Sequence, residues 1–143
     1  MPHTIRIAFD DADIAACFAV LSQLRPQLAE DSFVARIKEL RRSSGYQLAC
    51  LDEDGVKAVA GYRIGDWLHA GRYLEVEDLV SRDDARSRGY GGQLFDWLVQ
   101  EAARQGCRQI RLLSGVKRVD AHRFYLRKGM AIEASYFSMR VGG

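Results

Sequence analysis

Hydrophobic and polar positions at the start of the chain predict one strand followed by two helices. Thr4 to Phe9 alternates as a strand does, and the acidic run Asp10 to Asp13 offers N-caps for a helix. Apolar residues continue at helical spacing until Pro26, where we expect this helix to end. A second helix is expected to begin after Asp31 or Ser32 and to end at Ser43-Ser44-Gly45.

The middle of the chain predicts antiparallel strands. Tyr46 to Leu51 and Lys57 to Ile64 are strand-like, and the polar turn Asp52-Glu53-Asp54-Gly55 between them indicates a hairpin. Another strand is expected from about Arg72 to Ser81, which is rich in Tyr, Leu and Val.

Helices and strands then alternate to the end. An amphipathic helix carries Leu94 and is capped by Gly106, and the later elements are a strand, a helix closed by Gly129 and a last strand, at residues 108–114, 120–128 and 132–141. The predicted order is β-α-α-β-β-β-α-β-α-β. Hairpins followed by helical crossovers indicate an α+β fold with a mixed sheet.

Composition limits the class of protein. The 143 residues are 48% hydrophobic and 28% charged with a net charge of +2, so we expect one domain that spans the chain and no nucleic-acid partner. Apolar runs are too short for a membrane span, and the three cysteines have no metal-ligand or disulfide spacing. A reduced, cytoplasmic setting and no bound metal are expected. The near-neutral total hides eight basic residues against one acid between Arg104 and Lys128.

The glycine-rich turn before the amphipathic helix is the most informative stretch. It runs from Arg86 to Gly92 as Arg-Ser-Arg-Gly-Tyr-Gly-Gly and opens directly into the helix. Glycine allows close approach of a ligand to the backbone, and the N–H groups of a first helical turn attract phosphate. The turn lacks the Gly-Lys-Ser/Thr of a P-loop and the spacing of a dinucleotide fingerprint. A tight connection without a ligand is the alternative interpretation.

Two segments give the chain its resemblance to a family. Arg86-Ser87-Arg88-Gly89-Tyr90-Gly91 resembles the Arg/Gln-x-x-Gly-x-Gly/Ala signature of the GNAT superfamily of acyl-CoA-dependent N-acetyltransferases. Asp120 to Met130 resembles that family's later Ala-x-x-Phe-Tyr-x-x-x-Gly-Phe helix. The resemblance implies a twisted mixed sheet of about six to seven strands flanked by about four helices.

The resemblance also implies acetyl-CoA as co-substrate. Backbone amides of the turn would hold its pyrophosphate, and the pantetheine would lie along the preceding strand, which gives the set Leu79, Val80, Arg86, Ser87, Arg88, Gly89, Tyr90, Gly91 and Gly92. A backbone N–H near Val80, placed by the family's strand bulge, would stabilise the oxyanion. The basic surplus after Arg104 suits the remaining phosphate.

The resemblance implies direct attack by an amine, with Tyr125 as the general acid that protonates the departing thiolate. We expect the base to be Glu77 or, second, Glu75, which point to one face of their strand while Asp78 points to the other. Core packing of Tyr125 and plain surface charge for the two glutamates are the alternatives.

Three further residues are weaker candidates for the acceptor side. His122 lies one helical turn before Tyr125, where it would orient the phenol or bind substrate, and Trp67 and His69 would line an acceptor pocket. Structural roles are the alternative for each. The acceptor is expected to be a small primary amine. A protein lysine or N-terminus, and a catalytically silent CoA-binding module, remain alternatives, and family members often form homodimers.

Overall fold

The computed structural model describes residues 3–142, which form a five-stranded sheet and five α-helices. The strands are β1 (Thr4–Ile7), β2 (Gln47–Asp52), β3 (Val56–Trp67), β4 (Gly71–Ser81) and β5 (Gln109–Leu112). The helices are α1 (Asp11–Ala16), α2 (Phe18–Leu24), α3 (Glu30–Ser44), α4 (Tyr90–Arg104) and α5 (Val119–Arg127). The predicted mixed α+β class is confirmed, with fewer strands than the resemblance implied.

The sheet has the order β1-β2-β3-β4-β5, and its first four strands pair antiparallel. At β5 the direction changes. The Arg108 N–H donates to the Arg72 carbonyl at 2.8 Å, and Arg111 Nε donates to Glu75 Oε1 at 2.7 Å. Residue numbers increase in the same direction along both strands from the first contact to the second, so β5 runs parallel to β4. Helix α4 is the crossover that a parallel connection needs.

The chain divides into two compact units, one ending at Arg111 and the other beginning at Leu112. In the first unit, the helices α1 to α3 bury their apolar faces against the sheet around Ile14, Phe33, Ile37 and Leu48. Helix α4 buries Leu94, Phe95 and Leu98. The second unit contains α5 and the C-terminal residues.

The first predicted helix is in fact two, because the backbone tightens at Cys17. The Cys17 N–H donates to the Ile14 carbonyl, three residues earlier, at 3.0 Å, whereas an α-helix uses the carbonyl four residues earlier. The Cys17 thiol donates to the Asp13 carbonyl at 3.4 Å. In a continuous α-helix that carbonyl would accept from the backbone N–H of Cys17. The prediction of one helix up to Pro26 was therefore wrong.

The predicted last strand, residues 132–141, is absent from the described part of the chain. These residues have no regular secondary structure, and Tyr136, Phe137 and Met139 are exposed. Alternation of residue types shows that a segment is compatible with a strand, but a strand forms only where a neighbour supplies hydrogen-bonding partners. The sheet accordingly has five strands rather than six to seven.

Candidate functional site

The connection from β4 to α4 is short and tightly wound. A 3₁₀ turn, Asp83–Ala85, is followed by left-handed backbone at Ser87 and Gly89, with φ of 71° and 81°. No side chain of the described residues caps the N-terminus of α4. The N–H groups of its first turn have no intrahelical partners, so they are available to an anionic ligand.

Two glycines suit the geometry of this turn. Gly89 has the positive φ that side-chain-bearing residues rarely adopt, and a Cβ on Gly91 would lie 3.0 Å from Ser81 Oγ. The start of α4 therefore packs closely on the end of β4. Arg86 is largely exposed and pairs with Asp83 at 2.7 Å. A backbone cradle with arginine beside it fits a phosphate group.

Tyr90 contributes differently from its neighbours in the turn. Its side chain is buried, and its hydroxyl donates to Glu53 Oε1 at 3.4 Å. The side chain therefore anchors the start of α4 in the protein, which leaves the backbone N–H as the group of Tyr90 that suits a ligand. The remaining turn residues from Arg86 to Gly89 are exposed.

Strand β4 contains a bulge before the residues expected to lie along the pantetheine. Gly61 pairs with Asp78, but the next residue of β3, Tyr62, pairs with Val76, so Glu77 is an extra residue in β4. Beyond the bulge, Leu79 and Val80 return to regular pairing with β3. A bulge reorients the local backbone and increases twist, which makes it a common feature beside active sites.

Glu75 and Glu77 share one side of β4, as expected, and both contact arginine. Asp78 was expected on the other side, and this was wrong: Asp78 pairs with Gly61 and Glu75 pairs with Arg63, two residues along β3, so the extra residue Glu77 leaves Asp78 on the same side as Glu75. Arg63 on β3 donates to Glu77 and lies 3.9 Å from Glu75, while Arg111 on β5 binds Glu75 at 2.7 Å. The carboxylates are therefore not isolated surface charges. Two glutamates and two arginines form a charge-balanced group across three strands.

Aromatic rings adjoin this charged group. The Arg111 guanidinium lies 3.6 Å from the Tyr73 ring centroid and 4.2 Å from that of Trp67. The Trp67 and His69 rings are 5.1 Å apart. Trp67 is the last residue of β3 and is 39% exposed, whereas the sequence placed it between strands. Glu75, Glu77, Trp67 and His69 thus belong to one group of contacts.

Arg63 and Arg111 were missed by the sequence reasoning, although register gives a signal for both. Arg63 pairs directly with Glu75 in the β3–β4 ladder. Opposite charges on paired residues attract, so an arginine at that position is an expected partner of the glutamate. Arg111 lies three residues after Arg108, and Glu75 lies three residues after Arg72. Once β5 is known to run beside β4 in parallel, the contact between Arg108 and Arg72 therefore predicts that Arg111 lies beside Glu75.

Tyr125 and His122 lie on α5 in the second unit. Burial raises the pKa of the Tyr125 hydroxyl, while the nearby Arg118 charge opposes that shift. The Tyr125 and Phe124 rings are 5.4 Å apart. His122 Nε2 lies 2.8 Å from the Gly115 carbonyl oxygen, so the ring joins α5 to the turn that precedes it.

The C-terminal end of α5 forms a Schellman motif. The Gly129 N–H donates to the Leu126 carbonyl at 3.0 Å, and the Met130 N–H donates to the Tyr125 carbonyl at 3.1 Å. Gly129 has a φ of 97°, which confirms it as the residue that closes the helix. The backbone of Tyr125 is fixed by this cap.

Among residues 3–142, no group of three or more His, Cys, Asp or Glu side chains is arranged to hold a metal ion. None of the helices described is both long and apolar enough to cross a membrane.

Comparison with known proteins identifies the family. The family model described as "Acetyltransferase (GNAT) family" matches residues 12–130. The uncharacterized N-acetyltransferase YhdJ of Bacillus subtilis (strain 168) is 34% identical over 125 residues, which cover 86% of this chain and 88% of that protein. The aminoalkylphosphonate N-acetyltransferase of Salmonella typhimurium (strain LT2) is 32% identical over 113 residues, or 79% of this chain and 72% of that protein.

The fold comparison agrees. The structure of an aminoglycoside N-acetyltransferase in complex with CoA superposes with a TM-score of 0.85 at 16% identity, over 98% of this chain and 95% of that one. At this identity the likeness concerns the fold. Together with the match over residues 12–130, it shows that the chain belongs to the GNAT family of acetyltransferases.

Proposed function

We propose that this protein transfers an acetyl group from acetyl-CoA to the primary amine of a small molecule. The observation that carries the proposal is the uncapped start of α4, which follows the left-handed backbone of Gly89 and packs closely on the end of β4. The family match supports the reaction class, and the relative named for aminoalkylphosphonate supports a small-molecule acceptor.

The turn residues Arg86, Ser87, Arg88, Gly89, Tyr90, Gly91 and Gly92 would bind the pyrophosphate of acetyl-CoA. Their backbone N–H groups supply donors, and the positive end of the α4 dipole favours the negative charge. Leu79 and Val80 follow the bulge in β4 and would lie along the pantetheine. A backbone N–H in this segment would donate to the oxygen of the tetrahedral intermediate.

Transfer needs two proton movements. The neutral amine attacks the thioester carbonyl, the C–N bond forms and the C–S bond breaks. Tyr125 donates its proton to the departing thiolate and regains one from solvent, and a carboxylate accepts the proton that the amine loses. Burial raises the pKa of the Tyr125 hydroxyl, which therefore holds its proton at neutral pH and has one to give to the thiolate.

The acidic side of β4 would receive the acceptor amine. Glu77 contacts Arg63, whereas Glu75 contacts both Arg63 and Arg111, so Glu77 is the better base and Glu75 the better anchor. Glu77 is also the more exposed of the two, at 28% against 16% for their side chains. Trp67 and His69 would line the outer part of this acceptor side, and His122 would stabilise α5.

A panel of acceptors tests the proposal. Purified protein is supplied with acetyl-CoA and, separately, an aminoalkylphosphonate, an amino sugar phosphate, a polyamine and a lysine-containing peptide, and free CoA thiol is measured. We expect turnover with at least one small amine. Turnover with the peptide alone would indicate protein acetylation, and CoA binding without turnover on any acceptor would indicate a silent binding module; either result overturns the proposal.

A further inference from the structure

Asp78, the residue directly after the extra residue of β4, is held by two side chains from outside the strand. Arg25 Nε donates to Asp78 Oδ1 at 2.7 Å, and Tyr46 Oη donates to Asp78 Oδ2 at 2.7 Å. Arg25 Nη2 also donates to the backbone carbonyl of Glu77 at 3.0 Å. The bulge is therefore fixed at a side chain and at a peptide group.

Tyr46 and Asp78 have little access to water. Tyr46 is 4% exposed and the Asp78 side chain 12% exposed. Burial and the adjacent Asp78 carboxylate both raise the pKa of Tyr46, so its hydroxyl remains a donor. Each carboxylate oxygen of Asp78 has a partner, which is the condition under which a buried charge is tolerated.

The partners come from the ends of the N-terminal helices. Arg25 follows α2 directly, and Tyr46 lies between α3 and β2. Beyond the bulge, Leu79 and Val80 are aligned on one edge by pairing with Ala60 and Val59, which are fully buried. The orientation of the backbone that enters this segment depends on how the bulge is held.

We infer that Arg25 and Tyr46 are positioning residues for acetyl transfer. They hold the β4 bulge so that the backbone N–H groups after it are aimed at the thioester oxygen. The inference rests on the proposed function. Hydrogen-bond donors in an oxyanion site stabilise the transition state only when they are oriented correctly. A small reorientation of the backbone N–H groups therefore lowers the rate of the chemical step more than it weakens the binding of acetyl-CoA.

Tyr46→Phe is the most direct test, because it keeps the buried ring and removes only the hydroxyl that binds Asp78. We expect kcat to fall about tenfold while KM for acetyl-CoA changes less than about twofold. Tyr62→Phe is the matched control: Tyr62 is also buried and its backbone flanks the bulge, but its hydroxyl lies 3.5 Å from the Glu101 carboxylate of α4 rather than at Asp78. The control should lose comparable thermal stability and keep its kcat.

Variants of Arg25 provide an independent test. Its side chain is 42% exposed, so Arg25→Gln is expected to fold, lose kcat and keep KM for acetyl-CoA, with Arg25→Lys recovering part of kcat by restoring charge beside Asp78. Arg42→Gln, which removes a surface ion pair to Glu39, should leave kcat unchanged. Equal kcat in wild type, Tyr46→Phe and Arg25→Gln overturns the inference, whereas an inactive wild-type protein contradicts the proposed function instead.

Discussion

The hydroxyl of Tyr46 occupies the space that a side chain on Gly61 would need. A Cβ built on Gly61 would lie 1.7 Å from Tyr46 Oη and 2.3 Å from Tyr46 Cζ, distances at which atoms overlap. Gly61 pairs with Asp78 across the β3–β4 ladder, so the same hydroxyl both binds the carboxylate and crosses over the glycine. A glycine in the middle of a strand thus has a packing reason.

Gly61→Ala is therefore expected to destabilise the protein strongly. The added methyl group displaces the buried Tyr46 and leaves Asp78 with a weaker partner, which we expect to lower the free energy of unfolding by about 3 kcal/mol. Urea denaturation measures the change. Gly115→Ala is the control, since its Cβ would meet nothing closer than 3.8 Å, and it should change stability by no more than about 0.5 kcal/mol. Equal stability of the two variants contradicts this account of Gly61.

The two ends of α4 give a matched pair of glycine variants. Gly89 before the helix and Gly106 after it have φ of 81° and 72°, so an alanine at either costs about 1 to 2 kcal/mol of backbone strain. Only Gly89 lies in the proposed pyrophosphate turn. We expect Gly89→Ala to raise KM for acetyl-CoA about tenfold and Gly106→Ala to leave it unchanged, as measured by steady-state kinetics. A similar KM for acetyl-CoA in the two variants would contradict the binding of the pyrophosphate at this turn.

The raised pKa of Tyr125 predicts the pH dependence of turnover. A general acid must be protonated to act, and burial moves its pKa above the ordinary value of about 10. The kcat of the wild type is therefore expected to hold through neutral pH and to decline only above about pH 10. Tyr125→Phe should lower kcat at least about a hundredfold and abolish that decline. A variant that keeps the wild-type rate removes Tyr125 from the mechanism.

The three cysteines should differ in reactivity. Cys17 and Cys50 are fully buried, and hydrogen bonding to Cys50 together with burial raises the pKa of the Cys17 thiol. Cys107 is partly exposed, with a pKa raised by burial. Iodoacetamide should label Cys107 first, more slowly than free cysteine, and label the other two only on unfolding. Mass spectrometry of the labelled peptides reads the order, and rapid native labelling of Cys17 would contradict the packing described.

Helices and most strands could be predicted because their determinants are local. Apolar spacing defined α4, and Gly106 and Gly129 marked the ends of α4 and α5. The break at Cys17 depends on a thiol taking a backbone acceptor, which spacing does not encode. The strand expected over 132–141 does not form for a different reason, since strand formation depends on a partner that can lie anywhere in the chain.

In the candidate site, too, local features could be predicted and contacts between distant residues could not. The glycine turn is contiguous in sequence, so its residue types revealed it directly. The arginines around Glu75 and Glu77 come from β3 and β5, and the Asp78 contacts come from residues 53 and 32 positions earlier in the chain. Contacts of that kind follow from strand order and register, which the sequence indicates only coarsely.

Transfer of labelled acetyl measures the central claim most directly. Acetyl-CoA carrying ¹³C in its acetyl group is incubated with the protein and a mixture of small primary amines that includes aminoalkylphosphonates, and products are analysed by mass spectrometry. The account predicts a ¹³C-acetylated amide formed in equal amount with free CoA by wild type, and strongly reduced in Tyr125→Phe. Free CoA released without any acetylated amine, or no release from acetyl-CoA that demonstrably binds, would contradict it.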